Sequence, residues 1–215
     1  MQASRNPKNP KRNIRIDCGR YLVRTIKPDD ASDRWARWNA DPGAVENLNT
    51  RTRTLSKSDL LQYIRSFDQW SRWLLGIFDK QTRTHIGIIR IDVDYAASRS
   101  HIAVLIGEAA YRNSGATADV FMSCLDYVFE TVGLTHMTAS ILSRNQVTRD
   151  YLLKAGWKLA SAQTRRVPSN APGAPLDLHN MVLTREAWRA WRKTGLASRL
   201  MRRIDRHRGH AEAGQ

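Results

Sequence analysis

The period of the apolar residues changes several times along the chain, and each change marks an element. Arg20 to Ile26, RYLVRTI, alternates and ends at Lys27-Pro28, which predicts a first strand followed by a helix over Asp29 to Asn39. Asp41-Pro42-Gly43 stops that helix. Ser56, with Asp59 three residues on, has the form of a capping box and opens a second helix carrying Leu60, Leu61, Tyr63, Ile64 and Phe67 at helical spacing. WLLGIF at Trp73 to Phe78 and HIGIIRIDV at His85 to Val93 read as a hairpin, and HIAVLIG at His101 to Gly107 as the next strand. From Gly115, the residues Val120, Phe121, Cys124, Leu125, Val128 and Phe129 recur at helical intervals as far as about Val132, where Gly133 ends the run. LTHMTASIL at Leu134 to Leu142 is a strand, and Asn145 caps a helix through Tyr151, Leu152 and Leu153 to Gly156. GWKLASAQ and LHNMVLT are the last two strands, joined through PSNAPGAP. This order predicts a mixed sheet covered by helices, an α/β three-layer domain.

The flanks behave differently. MQASRNPKNPKRN shows no apolar periodicity, so residues 1–17 read as a basic disordered arm, residues 18–188 as the domain and residues 189–215 as a basic extension. In that extension Leu196, Leu200 and Ile204 stand four apart, a narrow apolar stripe on a basic helix. It suits docking onto its own domain or an anionic surface. The chain has 215 residues and a formal net charge of +15, and the flanks carry most of it: residues 1–15 hold five Arg/Lys and no acid, residues 185–210 nine against two. The charge thus points to an anionic partner for the tails and says little about a substrate. No apolar run is long enough to span a bilayer, so a soluble, cytoplasmic protein without a transmembrane segment is expected. Cys18 and Cys124 fit neither a disulfide framework nor a metal spacing, and no metal is expected.

One stretch carries chemistry. In YRNSGATADVF, Tyr111 to Phe121, a loop of small polar residues runs directly into a helix, and the unpaired amides around Asn113 to Ala118 form a ready anion site. Ser114 and Thr117 add hydroxyls, and Arg112 adds a charge. No Gly-Lys-Ser/Thr follows and the three-glycine dinucleotide fingerprint is absent, which argues against nucleotide hydrolysis and hydride transfer.

The run HIAVLIGEAAYRNSGATADVFMSCLDYVF, followed by NQVTRDYLLKAGW, resembles the GNAT superfamily of acetyl-CoA-dependent N-acetyltransferases over roughly Arg20 to Trp188. WNADPGAV, HIGIIRI and LDLHNMVLTREAW resemble the subgroup of RimJ and RimL protein N-terminal acetyltransferases and related amino-sugar acetyltransferases. The resemblance implies a three-layer α/β/α fold with a mixed, mostly antiparallel sheet, and acetyl-CoA as cosubstrate. It places the coenzyme pyrophosphate on the loop Arg112, Asn113, Ser114, Gly115, Ala116, Thr117 and Ala118, the thioester carbonyl on a backbone amide of Leu105 or Ile106, and the pantetheine arm beside Asn145. The family often has Gly and Lys/Arg where this chain has Asn113 and Ser114, so fewer positive charges face the pyrophosphate here.

Acetyl transfer needs a neutral amine, a stabilised oxyanion and a proton for the departing thiolate. A lysine amine is neutral in about one molecule in a few thousand at pH 7, an α-amine in roughly one in six, so an α-amine or amino-sugar amine asks less of a base. Glu108, just past the strand, is the first candidate base, acting directly or through a water. Asp177 comes next, and Asp92 and Asp94 are weaker options. The usual Tyr near the Gly-Phe pair is replaced by Leu152, with Tyr151 one step off, and the RimJ/RimL-like pattern puts Thr148 at the leaving sulfur instead. Trp38, Asn39, Asn47 and Asn49 are expected to line the amine pocket, in a monomer or homodimer. The rival reading is a catalytically inactive coenzyme A-binding module, or a module that binds nucleic acid or an anionic surface through its basic tails.

Overall fold

The computed structural model describes residues 11–45, 47–50, 52–160, 165–169 and 175–212. Most of the segment read as an arm, residues 1–10, lies outside these, as do residues 161–163 of the GWKLASAQ strand and 170–174 of the PSNAPGAP loop.

The first element begins inside that segment. Strand β1, Arg15–Cys18, pairs antiparallel with β2, Tyr21–Thr25, in register from Arg15↔Arg24 to Cys18↔Tyr21. Ile14, Ile16 and Cys18 are buried, and the Ile14 amide donates to Thr25 Oγ1 at 2.8 Å. Residues 14–17 therefore belong to the domain, because alternating apolar residues on a paired strand outweigh the surrounding charge.

The helix expected over Asp29 to Asn39 is broken. A 3-10 turn at Pro28–Asp30 comes first, fixed by the Lys27 amide donating to Asp30 and by Arg24 gripping the same carboxylate with two nitrogens. Helix α1, Asp33–Trp38, then starts from Ser32, whose side chain accepts from the Trp35 amide. A single turn, α2, spans Pro42–Val45, and α3, Lys57–Arg65, opens on the expected capping box of Ser56 and Asp59. The antiparallel meander β3 (Arg72–Asp79), β4 (His85–Asp94) and β5 (Arg99–Ile106) follows. It leads into α4 (Ala116–Asp126), which continues as a π turn over Tyr127–Thr131. Then come β6 (His136–Leu142), α5 (Gln146–Lys154), the two-residue β7 (Lys158–Leu159), β8 (Arg165–Val167) and β9 (Leu176–Thr184). Two helices close the chain, α6 (Arg185–Arg192) and α7 (Gly195–Glu212).

The strands form one sheet in the order β1-β2-β3-β4-β5-β6-β9-β7, with β8 also on β9; only β5 and β6 run parallel. Helices cover both faces, as the fold expected from the sequence requires. One core joins the sheet to α4, α5, α6 and α7, and a smaller one, built on Trp35, Leu60, Ile64 and Leu74, joins it to α1 and α3. No helix among the described residues is long and apolar enough to cross a membrane.

The basic extension docks on the domain. Trp188 and Trp191 of α6 stack with ring centres 5.2 Å apart, and each indole N–H finds a partner, Asp126 at 3.0 Å and the Lys154 carbonyl at 2.8 Å. In α7, Ala197 and Ile204 are fully buried. Gly19, at φ +74°, lets the β1–β2 turn touch the helix: a Cβ there would lie 2.7 Å from the Ile204 carbonyl oxygen. Arg208 adds a bond to the Asp17 carbonyl at 2.6 Å.

If β1 is a structural strand, Ile14→Ala should lower unfolding free energy by about 2–5 kcal/mol in urea titration, the cost of truncating a fully buried aliphatic residue. A flexible arm would leave the midpoint unchanged.

Candidate active site

The parallel strands β5 and β6 pair at three positions only, Arg99↔His136, Ser100↔Met137 and His101↔Thr138. Beyond that point β6 follows β9 to Leu142↔Leu178 while β5 stays with β4 to Gly87↔Ile106, so the two strands part. The last pair is clasped by side chains: Thr138 Oγ1 donates to the Ser100 carbonyl at 3.1 Å and receives His101 Nδ1–H at 3.0 Å. Burial holds the His101 ring below its ordinary pKa, in keeping with a neutral donor.

The antiparallel ladder decides which amides of β5 face the opening. Gly107 N–H bonds to the Ile86 carbonyl at 2.9 Å, so by alternation the Leu105 amide belongs to the β4 side and those of Val104 and Ile106 face the gap. Of the two amides expected to meet a thioester, that of Ile106 faces the gap and that of Leu105 faces β4. Leu105 instead turns its side chain into the neighbouring cavity.

The carboxyl ends of β5 and β6 lie at one edge of the sheet, and α4 and α5 start there, the usual place for a ligand in an α/β sheet. Asn113 at φ +61° and Gly115 at φ +87° bend the loop so that Gly115 becomes the N-cap of α4. Ser114 Oγ donates to the Tyr111 carbonyl at 2.7 Å and accepts the Ala116 amide at 3.3 Å. The first bond inside the helix is Asp119 N–H to Gly115 O at 3.2 Å, which leaves the Thr117 and Ala118 amides without a helical acceptor. Arg112 does not serve this helix end. Its guanidinium is turned to the Ile106 and Gly107 carbonyls and to Asp41, whose carboxyl it holds below the usual range. The reason is geometric: Gly43 has no side chain, and a Cβ there would lie 2.8 Å from Arg112 Nη1.

On the other wall, Asn145 Oδ1 accepts the Thr148 amide at 3.2 Å, the helix cap read from the sequence; its Nδ2 donors are not used by that cap. Thr148 is half-buried in this first turn. Asp177 sits on β9 opposite Arg166, and its carbonyl accepts the Ser143 amide at 2.8 Å, just beyond the end of β6.

A cavity of about 370 Å³ lies on the α1/α3 face beside the free edge of β5. Of the four residues expected at an amine pocket, Trp38 and Asn39 line this cavity and Asn47 and Asn49 do not: Asn47 is exposed, and Asn49 donates to the Pro168 carbonyl at 2.9 Å, tying the loop before α3 to the one after β8. Asn39 is bonded to Arg53 through both backbone and side chain. Reading the sequence for polar residues missed Trp35, Tyr63, Arg53 and Arg90, which also line the cavity. Tyr63 reads from the sequence as one of the apolar residues at helical spacing in the second helix. Glu108 braces the cavity wall: Oε1 accepts Trp38 Nε1–H at 2.7 Å and Oε2 accepts Arg34 at 3.1 Å. Gly107 permits this, since a Cβ there would fall 2.0 Å from the Trp38 ring. Both thiols are buried and pushed up, Cys18 to about 12, so neither is poised as a nucleophile.

Behind Trp38 lies His85, stacked on Phe78 with centres 4.6 Å apart and edge-on to Trp35 and Trp38. Nε2 meets the Gly87 carbonyl at 3.0 Å, while the buried Nδ1 has no partner among the described residues. Burial lowers its pKa from 6.5 to about 4.

The sequence model of the acetyltransferase (GNAT) domain matches residues 20–158. A search of curated protein sequences finds no match. Solved structures match the fold closely at low identity. Spermidine N-acetyltransferase from Vibrio cholerae, in complex with CoA and spermine, superposes with TM-score 0.69 at 13% identity, covering 79% of this chain and 98% of its own. The ribosomal-protein-S5-alanine acetyltransferase from Vibrio fischeri gives 0.69 at 15%, covering 82% and 99%. A GCN5-related N-acetyltransferase from Brucella melitensis gives 0.70 at 12%, covering 86% and 85%. At such identities the likeness speaks for the fold.

Because His85 is neutral when folded and protonates more readily when unfolded, its contribution is fully present above pH 6.5 and is lost as pH falls toward about 4. The difference is up to about 3 kcal/mol. His85→Phe should flatten the pH dependence of unfolding in that window relative to the parent, as read by denaturant titration at each pH.

Proposed function

The chain belongs to the GNAT acetyltransferase family, and from that premise we propose that it moves an acetyl group from acetyl-CoA directly to a primary amine in a ternary complex. The observation that carries this reading is the parting of β5 and β6 at His101–Thr138, which opens onto the α4 N-terminus on one side and the Trp38 cavity on the other. Residues fit the coenzyme: Gly115 leaves the helix end open, the Thr117 and Ala118 amides can receive the pyrophosphate, and the Ile106 amide faces the gap. Bound there, the coenzyme supplies an acetyl thioester.

The protein's part is to hold and deprotonate the amine. Each Glu108 oxygen accepts one hydrogen bond and keeps further acceptor capacity, through which a water could take the amine proton. Thr148, in the first turn of α5, would bond the departing sulfur, and Asp177 is the second carboxylate at this edge of the sheet. Asn145 Nδ2 would meet the pantetheine arm.

For the acceptor we favour a protein N-terminal α-amine or an amino sugar, in line with the RimJ/RimL-like motifs. The described lining of the cavity supports this, since it carries Arg53 and Arg90 with aromatic walls and no carboxylate. A polycation would find no row of carboxylates in that lining to pair with.

Acetyl-CoA should raise the melting temperature of the protein, and Gly115→Asp, which sets an anion against the pyrophosphate and strains a φ of +87°, should abolish the shift. No shift in the parent overturns the reading. A screen of peptides and amino sugars with thiol-release detection then identifies the acceptor.

Glu108→Gln should lower turnover at pH 7 by about 10²-fold, with the gap to the parent closing as pH rises toward the amine pKa. A pH-independent loss would leave Glu108 only the bracing of Trp38.

A further inference from the structure

The N-terminus of α4 carries an unfavourable charge for an anionic ligand. Asp119, in its first turn, is buried, and its carboxylate would oppose the pyrophosphate that the Thr117 and Ala118 amides attract. The loop's own arginine, Arg112, is committed to Asp41 and two carbonyls. The cation at this place comes from far along the chain. Arg203 of α7 donates to Asp119 Oδ1 through Nε at 3.0 Å and Nη2 at 2.5 Å. Its third nitrogen, Nη1, makes no hydrogen bond to another described residue and lies 3.3 Å from where a Cβ of Gly115 would stand. Glycine at the cap thus lets a guanidinium reach the helix mouth.

We propose that Arg203 is a coenzyme-binding residue, which cancels the charge of Asp119 and presents Nη1 to the coenzyme pyrophosphate. The proposal rests on the acetyl-CoA reading above. Arg203 lies outside residues 20–158, so the C-terminal helix completes a site whose other parts belong to the family domain. Its position is fixed by packing: the next residue, Ile204, is buried against Gly19, and Arg208 is bonded to the Asp17 carbonyl. The surroundings register both charges. Burial pushes the Asp119 carboxyl up and Arg203 pulls it back. The Tyr151 hydroxyl on α5, buried without a partner among the described residues, is raised by burial and then by Asp119, with Arg203 opposing. Arg203 therefore offsets the acid at the helix mouth and supplies a charge-assisted donor that Asn113 and Ser114 do not.

The test is equilibrium binding of CoA and of S-acetylpantetheine, which lacks the pyrophosphate, to the full chain at one ionic strength. Arg203→Gln should weaken CoA by about 10- to 100-fold, the range for one charge-assisted hydrogen bond, and leave S-acetylpantetheine unchanged. Arg203→Gln/Asp119→Asn should recover part of the loss, and Asp119→Asn alone should bind CoA at least as tightly as the parent. Unchanged CoA affinity in Arg203→Gln, an equal loss for both ligands, or weaker CoA binding by a folded Asp119→Asn overturns the proposal while leaving the acetyl-CoA reading intact. Failure of the parent to bind CoA overturns both. Melting temperatures establish that each variant is folded; if Arg203→Gln is not, the two Asp119 variants decide the matter.

Discussion

Everything at the carboxyl edge of the sheet depends on where β5 lets go of β6. A strand edge inside a folded protein leaves amides and carbonyls that must find partners, and here the edge beyond His101 has no neighbouring strand among the described residues. The sheet accepts this because each strand keeps its other neighbour, β4 for β5 and β9 for β6. The cost of an open edge is thereby confined to one side of a few residues. The gain is that two helices, α4 and α5, start from the edge where the strands part.

Arginines organise the walls of that space. Arg112 joins the α4 loop to Asp41 beyond α1, Arg34 joins α1 to Glu108 after β5, and Arg203 joins α7 to Asp119 in α4. Each link crosses between elements distant in sequence, and each is partly shielded from solvent. Isolated surface pairs of this kind contribute little to stability. Their effect here is positional: they determine which cations face the open edge and which are turned from it.

Much of this was legible in the sequence, and the failures have physical causes. Most of the strand and helix order followed from periodicity, and the capping residues Ser56 and Asn145 announced their helices. The alternation of Ile14, Ile16 and Cys18 was also present, but a four-residue strand between charged residues gives a weak signal. Two-residue β7 and three-residue β8 are set by pairing with β9 rather than by their own composition. Candidate site positions were legible where the backbone sets the geometry, as with the N-cap at Gly115. They were not legible where a flexible side chain chooses between partners, as with Arg112, or where an aromatic residue has one face in the core and one on a cavity, as with Trp35. Arg203 could not have been found by motif, since its place depends on how a helix eighty-four residues from Asp119 packs.

The contact between β1 and α7 has a bearing on how the chain matures. The strand made earliest among the described elements meets a helix from near the other end of the described chain, and Ile204 of that helix packs on the turn at Gly19. During synthesis the body of the domain, with α4 on β1 and β2, can assemble before α7 exists, a time when the turn at Gly19 lacks its cover and the edge strand is open to wrong pairing.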